Sequence, residues 1–139
     1  MGMYTQIRGW LNVDSIGYPE NYIDICRKLE RAKEDFENDE TIKVDRKWVC
    51  HGTIVHQGGN GSVYLFIGTE LKNYGNPARI WIEYLLNYFP NAEGSIDFQY
   101  EESNIGDSTY RLLIYKGQII KEEDVKVWCY GYGNSYKRF

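Results

Sequence analysis

Period-two alternation marks the start of the chain. In the run from Tyr4 to Val13, Ile7, Gly9, Leu11 and Val13 fall on one side of a strand, and Tyr4, Gln6, Arg8, Trp10 and Asn12 on the other. The first set predicts a core face and the second a surface of rings and hydrogen-bonding groups. The period then changes. Ile25, Leu29, Ala32 and Phe36 step at helical spacing with Tyr22 and Cys26 alongside, while Lys28, Arg31, Lys33, Glu34 and Asp35 form a solvated side. Pro19, Glu20 and Asp24 suit an N-terminus, so the spacing predicts a helix of about five turns ending near Asn38.

A strand is predicted from Arg46 to His56, rich in Trp48, Val49, Thr53, Ile54 and Val55. The segment Gln57-Gly58-Gly59-Asn60-Gly61-Ser62 tolerates positive φ and reads as a hairpin turn. Val63 to Thr69 returns as its partner, and its near-continuous apolarity predicts a central strand buried on both sides. Asn76 as cap and Pro77 in the first turn predict a second helix with the stripe Ile82, Leu85, Leu86 and Phe89, ended by Pro90. Trp81, Tyr84 and Tyr88 widen that stripe beyond one face and are the candidate interface with another chain or copy. Strands follow at 95–101 and 109–116, a tight turn at Lys116-Gly117, and a last strand at 125–130. The carboxylates Glu101-Glu102 and Glu122-Glu123-Asp124 read as loop, and 131–139 as a loop-like tail.

The order β-α-β-β-α-β-β predicts a single α+β domain over 1–139: an antiparallel sheet of five or six strands with two helices on one face. This is the ferredoxin-like pattern with a C-terminal extension. Met1-Gly2 reads as a cloning remnant. Two helices on one face leave Tyr4, Gln6, Arg8 and Trp10 on the opposite side.

Composition narrows the function classes. Thirteen of the 139 residues are Tyr and only two are His, which favours half-buried binding faces over acid–base chemistry. A net charge of −4 argues against a duplex-DNA binder, which needs a basic stripe. Cys26, Cys50 and Cys129 are odd in number and widely spaced, so reduced thiols in a cytoplasmic protein are expected. Neither a signal peptide nor a membrane span is read.

His51-Gly52-Thr53 resembles half the signature of the two-histidine phosphoesterases; the second half is missing, and a strand would point His51 and His56 to opposite faces. A hydrogen-bonded structural His is favoured. Cys50 and His56 would lie about 20 Å apart on a strand, so no metal site is expected, and no cofactor is called for. The Asn60-Gly61 turn could offer backbone N–H groups to an anion. The ligand-binding candidates are therefore Tyr4, Gln6, Arg8, Trp10, His51, Asn60, Gly61 and Tyr64. Aromatic platforms on antiparallel sheets hold bases, and Arg can grip phosphate in a fork.

The opening Tyr4-Thr5-Gln6-Ile7-Arg8-Gly9-Trp10 and the later stretch from Asn60 to Gly68 resemble small bacterial and phage accessory proteins of immunity or anti-defence type. The resemblance implies a sequestering or inhibitory protein of a bacterium–phage conflict, in the host cytoplasm if phage-encoded. Three function classes follow: a non-enzymatic binder of a nucleotide-derived signal, a protein–protein inhibitor, and a phosphodiesterase using His51. A homodimer or higher homo-oligomer suits all three.

Overall fold

The computed structural model describes residues 4–14, 22–43, 49–72, 75–100 and 108–126. They form β1 (Tyr4–Asn12), α1 (Tyr22–Asn38), β2 (Thr53–Gln57), β3 (Val63–Lys72), α2 (Pro77–Leu86), β4 (Glu93–Tyr100), β5 (Ser108–Tyr115) and β6 (Gln118–Lys126). The strands make one antiparallel six-stranded sheet in the order β2-β3-β1-β4-β5-β6. Each helix bridges two strands that flank a third: α1 leads from β1 to β2 across β3, and α2 leads from β3 to β4 across β1.

Strand parity builds the core. Ile7 and Leu11 of β1, Val63, Leu65 and Ile67 of β3, Ile96 and Phe98 of β4, and Leu112 and Ile114 of β5 are all buried on one face. Ile25, Leu29, Ala32 and Phe36 of α1 and Trp81, Ile82 and Leu85 of α2 close over them. Burying each such side chain contributes on the order of 1.5–3 kcal/mol, so the pattern holds the helices to this face. Where α1, α2 and β2 meet, the Phe36 ring packs edge-on against Trp81 with centroids 5.0 Å apart, and Trp81 Nε1 donates to Thr53 Oγ1 at 3.0 Å.

Gly94 explains the close approach of β1 and β4. It holds φ 158°, and a Cβ there would lie 2.1 Å from the Trp10 carbonyl oxygen. At the other hairpin, Lys116 and Gly117 both have positive φ (49° and 70°), the geometry of a two-residue turn matched to strand twist.

Several expectations need correction. Residues 49–52 are turn rather than strand, and β2 starts only at Thr53. Gly52 lies so close to β3 that a Cβ would meet the Gly68 carbonyl oxygen at 2.5 Å; Thr53 N–H bonds Cys50 O at 3.1 Å, closing a turn. Asn76 does not cap α2 with its side chain: it sits at φ 58°, ψ 47°, outside the extended region that aims a cap at the first amides. The helix stops at Leu86, where Tyr88 N–H and Phe89 N–H reach back three residues to Leu85 and Leu86 carbonyls before Pro90 is reached. Glu122, Glu123 and Asp124 are not loop but β6, paired with Leu112, Arg111 and Tyr110. β3 is not buried on both sides, because Val63, Leu65 and Ile67 face the helices while Tyr64 and Phe66 face away. The start of α1 at Pro19, the strand at Arg46–Trp48, Glu101-Glu102 and 127–139 lie outside the described residues.

Candidate functional site: the helix-free face of the sheet

Tyr4, Gln6, Arg8 and Trp10 lie on the face opposite the helices, as the alternation implies, because Ile7 and Leu11 between them are buried. Register then decides their neighbours. Trp10 stands opposite Phe66, and Asn12 opposite Tyr64. The Trp10 indole stacks on Tyr64 (centroids 5.1 Å apart, planes 20° from parallel) and tilts against Phe66 at 5.8 Å. His56 of β2 meets Phe66 edge-on at 5.3 Å, and Ile54 stands opposite Phe66. Trp10 is 51% exposed and Ile54 56%. Four rings and an isoleucine thus form an apolar strip across β2, β3 and β1.

A hollow adjoins the strip. Gly68 follows Phe66 on the same face of β3, opposite Arg8, and nothing lies within 4 Å of where its Cβ would be. Arg8 Nη2 donates to Gln99 Oε1 at 2.7 Å, which holds the guanidinium on the β4 side of that hollow. Further along, Arg111 makes a two-pronged pair with Asp97, at 2.7 and 2.9 Å. The bond to Asp97 raises the Arg111 pKa, so this guanidinium stays charged. Rings, a bare backbone floor and the Arg8 guanidinium are parts suited to hold a flat, anionic molecule, whereas the charge of Arg111 is neutralised by Asp97.

The hairpin tip borders this surface. Gly58 N–H bonds Ser62 O at 2.7 Å, Ser62 N–H bonds Asn60 Oδ1 at 3.0 Å, and Gly61 supplies φ 87°. A Cβ on Gly58 would lie 3.2 Å from the Tyr64 ring, so the turn folds against the stack. Asn60 Oδ1 is engaged within the turn.

Other expected site residues do not join them. Tyr4 is six residues from Trp10, about 20 Å along the strand, with Lys72 Nζ 5.5 Å from its ring centroid. His51 lies in the turn before β2, exposed, not on a strand beside Thr53; Thr53 is buried and its hydroxyl accepts from Trp81. Trp81 is 1% exposed and cannot serve as an exterior contact; its indole N–H draws it inward to Thr53. Tyr84 packs on Phe36 at 5.2 Å, and Tyr88 Oη donates to Asp35 Oδ2 at 2.5 Å. Burial first, then the Asp35 bond, pushes the Tyr88 hydroxyl pKa up, so it remains a donor in the seam between the helices. Phe66, His56, Ile54 and Gly68 were missing from the expected set. The Gln57↔Val63 pairing of the hairpin would have placed them, since it puts 54, 56, 64, 66 and 68 on one face.

A second cluster lies on the helix side. Arg79 Nε donates to Glu83 Oε1 at 3.0 Å, Arg79 Nη1 pairs with Glu122, and Tyr110 Oη donates to Glu122 Oε1 at 2.5 Å. Arg79 first, then Tyr110, holds the Glu122 carboxyl below its ordinary value. The neighbouring cleft, about 340 Å³, includes Leu86, Gln118 and Ile119 in its walls. Its guanidinium already satisfies two carboxylates, so this network reads as a tie between α2 and β6. Among the described residues, no three His, Cys, Asp or Glu side chains cluster as a metal site would require, and no helix is long and apolar enough to cross a membrane.

No family model matches this chain, and neither a curated protein nor a solved structure matches it. The site must be read from its own chemistry.

Proposed function

We propose that this chain is a non-enzymatic binding protein that sequesters a nucleotide-derived signal molecule on the helix-free face of its sheet. The observation that carries the reading is Trp10, a half-exposed indole already stacked on Tyr64 and positioned to take a further ring on its outer face. Gly68 leaves room for a ligand beside it, and Arg8 supplies positive charge on the same face. A base would stack on Trp10 or Phe66 while a phosphate turns toward the Arg8 guanidinium. Stacking contributes about 1–3 kcal/mol per base, so two bases and a charged phosphate contact would total about 4–9 kcal/mol, an affinity between millimolar and micromolar. A sequestering role of immunity or anti-defence type, in the cytoplasm, is part of this proposal. We read the two interleaved crossovers as ferredoxin-like order, with β5–β6 as the C-terminal extension.

A second reading is a protein–protein inhibitor, favoured by Ile54, whose exposed aliphatic side chain extends the aromatic strip toward the sheet edge. Calorimetric titration with linear and cyclic nucleotides separates the two. Saturable heat from a nucleotide supports the first. Silence across the panel, with capture of a protein that Ile54→Asp abolishes, supports the second. A phosphodiesterase role for His51 predicts turnover that His51→Ala removes.

A further inference from the structure

We propose that two copies of this chain join edge to edge through β2, antiparallel about a two-fold axis at His56, so that one sheet continues into the other. The proposal stands apart from the ligand reading and does not rest on it.

Backbone parity decides which groups of β2 are available. Gly58 N–H bonds Ser62 O, and Gly68 N–H bonds Gly52 O at 3.0 Å, so the even-numbered residues of this strand turn their amides toward β3. The odd-numbered residues turn theirs outward. Lys33 Nζ, donating from α1 to Thr53 O at 2.8 Å, agrees with that parity. Thr53 N–H is taken by Cys50 O. Left on the edge are the N–H and C=O of Val55 and of Gln57, which make no further bond among the described residues.

Those four groups are self-complementary. With the axis at His56, Val55 of each copy faces Gln57 of the other, and all four are satisfied by four N–H···O bonds. An axis at Val55 would instead oppose Gln57 to Thr53, whose amide and carbonyl are already engaged. The same register sets Ile54 against Gly58 of the second copy, next to the Tyr64 ring that packs on that glycine. His56 then faces His56 of the second copy at a closely spaced pair.

Composition favours this edge over the other. β2 reads Thr-Ile-Val-His-Gln, with neither a formal charge nor a proline, whereas β6 carries Lys121, Glu122, Glu123 and Asp124. Charge on an edge strand blocks further pairing, so association stops at a closed dimer. Both Trp10–Tyr64 stacks lie on the same side of the joined sheet.

Light scattering on a sizing column tests this. The parent is expected at twice the 16.4 kDa chain mass at high-micromolar concentration. Val55→Pro removes one outward donor without touching the β2–β3 ladder and should run as a single chain with an unchanged circular dichroism spectrum. His56→Lys and His56→Glu each oppose like charges at the axis and should each run as single chains, while their equimolar mixture regains the dimer mass. A parent that stays monomeric, or a dimer indifferent to Val55→Pro and both His56 variants, overturns the proposal. If Val55→Pro fails to fold, the charge pair decides alone, and a mixture that stays monomeric refutes it.

Discussion

Trp10 stacks on Tyr64 although the two are not directly opposite. The register pairs Trp10 with Phe66, and the indole leans along the diagonal to lie over Tyr64 at 5.1 Å. Diagonal neighbours on adjacent strands are within reach of aromatic side chains, and such a pair contributes about 0.5–1.5 kcal/mol beyond the area it buries. The lean leaves Gly68, on the other side of Phe66, uncovered.

That hollow can be filled without harming the fold. Gly68 is not among the positive-φ residues and its Cβ direction is open, so Gly68→Ala should match or exceed parent stability by about 0.4–1 kcal/mol. Gly68→Val should likewise fold, yet weaken ligand binding about tenfold or more, equivalent to about 1.4 kcal/mol. Thermal melts and calorimetry on the same samples check both halves.

Gly94→Ala should behave oppositely. Its Cβ would collide with the backbone of Trp10, which cannot yield as a flexible side chain could. A loss of about 3 kcal/mol or more in urea unfolding, or failure to accumulate as folded protein, is expected.

Thr53→Val should leave the buried Trp81 indole N–H without its acceptor, costing about 1–3 kcal/mol. Trp81→Phe strands the Thr53 hydroxyl instead. The double variant should recover part of the combined loss, and a double-mutant cycle by chemical denaturation measures the coupling.

Acid should loosen the tie between α2 and β6. Arg79 and Tyr110 depress the Glu122 pKa in the fold, so the unfolded chain binds more protons as pH falls below the ordinary value of 4.5. The contribution of Glu122 is complete above 4.5 and fades as pH drops toward its folded value. Glu122→Gln should therefore reduce stability near neutral pH and flatten the acid limb of the stability curve. Tyr110, whose pKa is raised chiefly by its bond to Glu122, contributes in the opposite range: its share is complete below 10.0 and lost as pH rises beyond it.

Much of the frame was legible because period and turn chemistry agree. The alternation from Tyr4 to Val13 placed β1, the helical spacing from Ile25 to Phe36 placed α1, and Gly58 to Ser62 placed the β2–β3 turn. β6 was hidden because its edge position permits a run such as Lys121-Glu122-Glu123-Asp124, which resembles loop in composition. Val49 to Gly52 looked like strand by residue type, but Gly52 packs against β3 and the chain turns there. Trp81 looked like excess apolar surface because its partner, the Thr53 hydroxyl, is 28 residues away. The aromatic strip was half visible: Trp10 follows from the alternation of β1, whereas Phe66 and His56 required the hairpin register.

Titrating the parent and Trp10→Ala in parallel with a panel of linear and cyclic nucleotides tests the central claim most directly. Saturable binding by the parent, lost in Trp10→Ala while the circular dichroism spectrum and a cooperative unfolding transition are retained, is the predicted result. A parent that binds none of them, or a Trp10→Ala protein that binds as tightly as the parent, contradicts it.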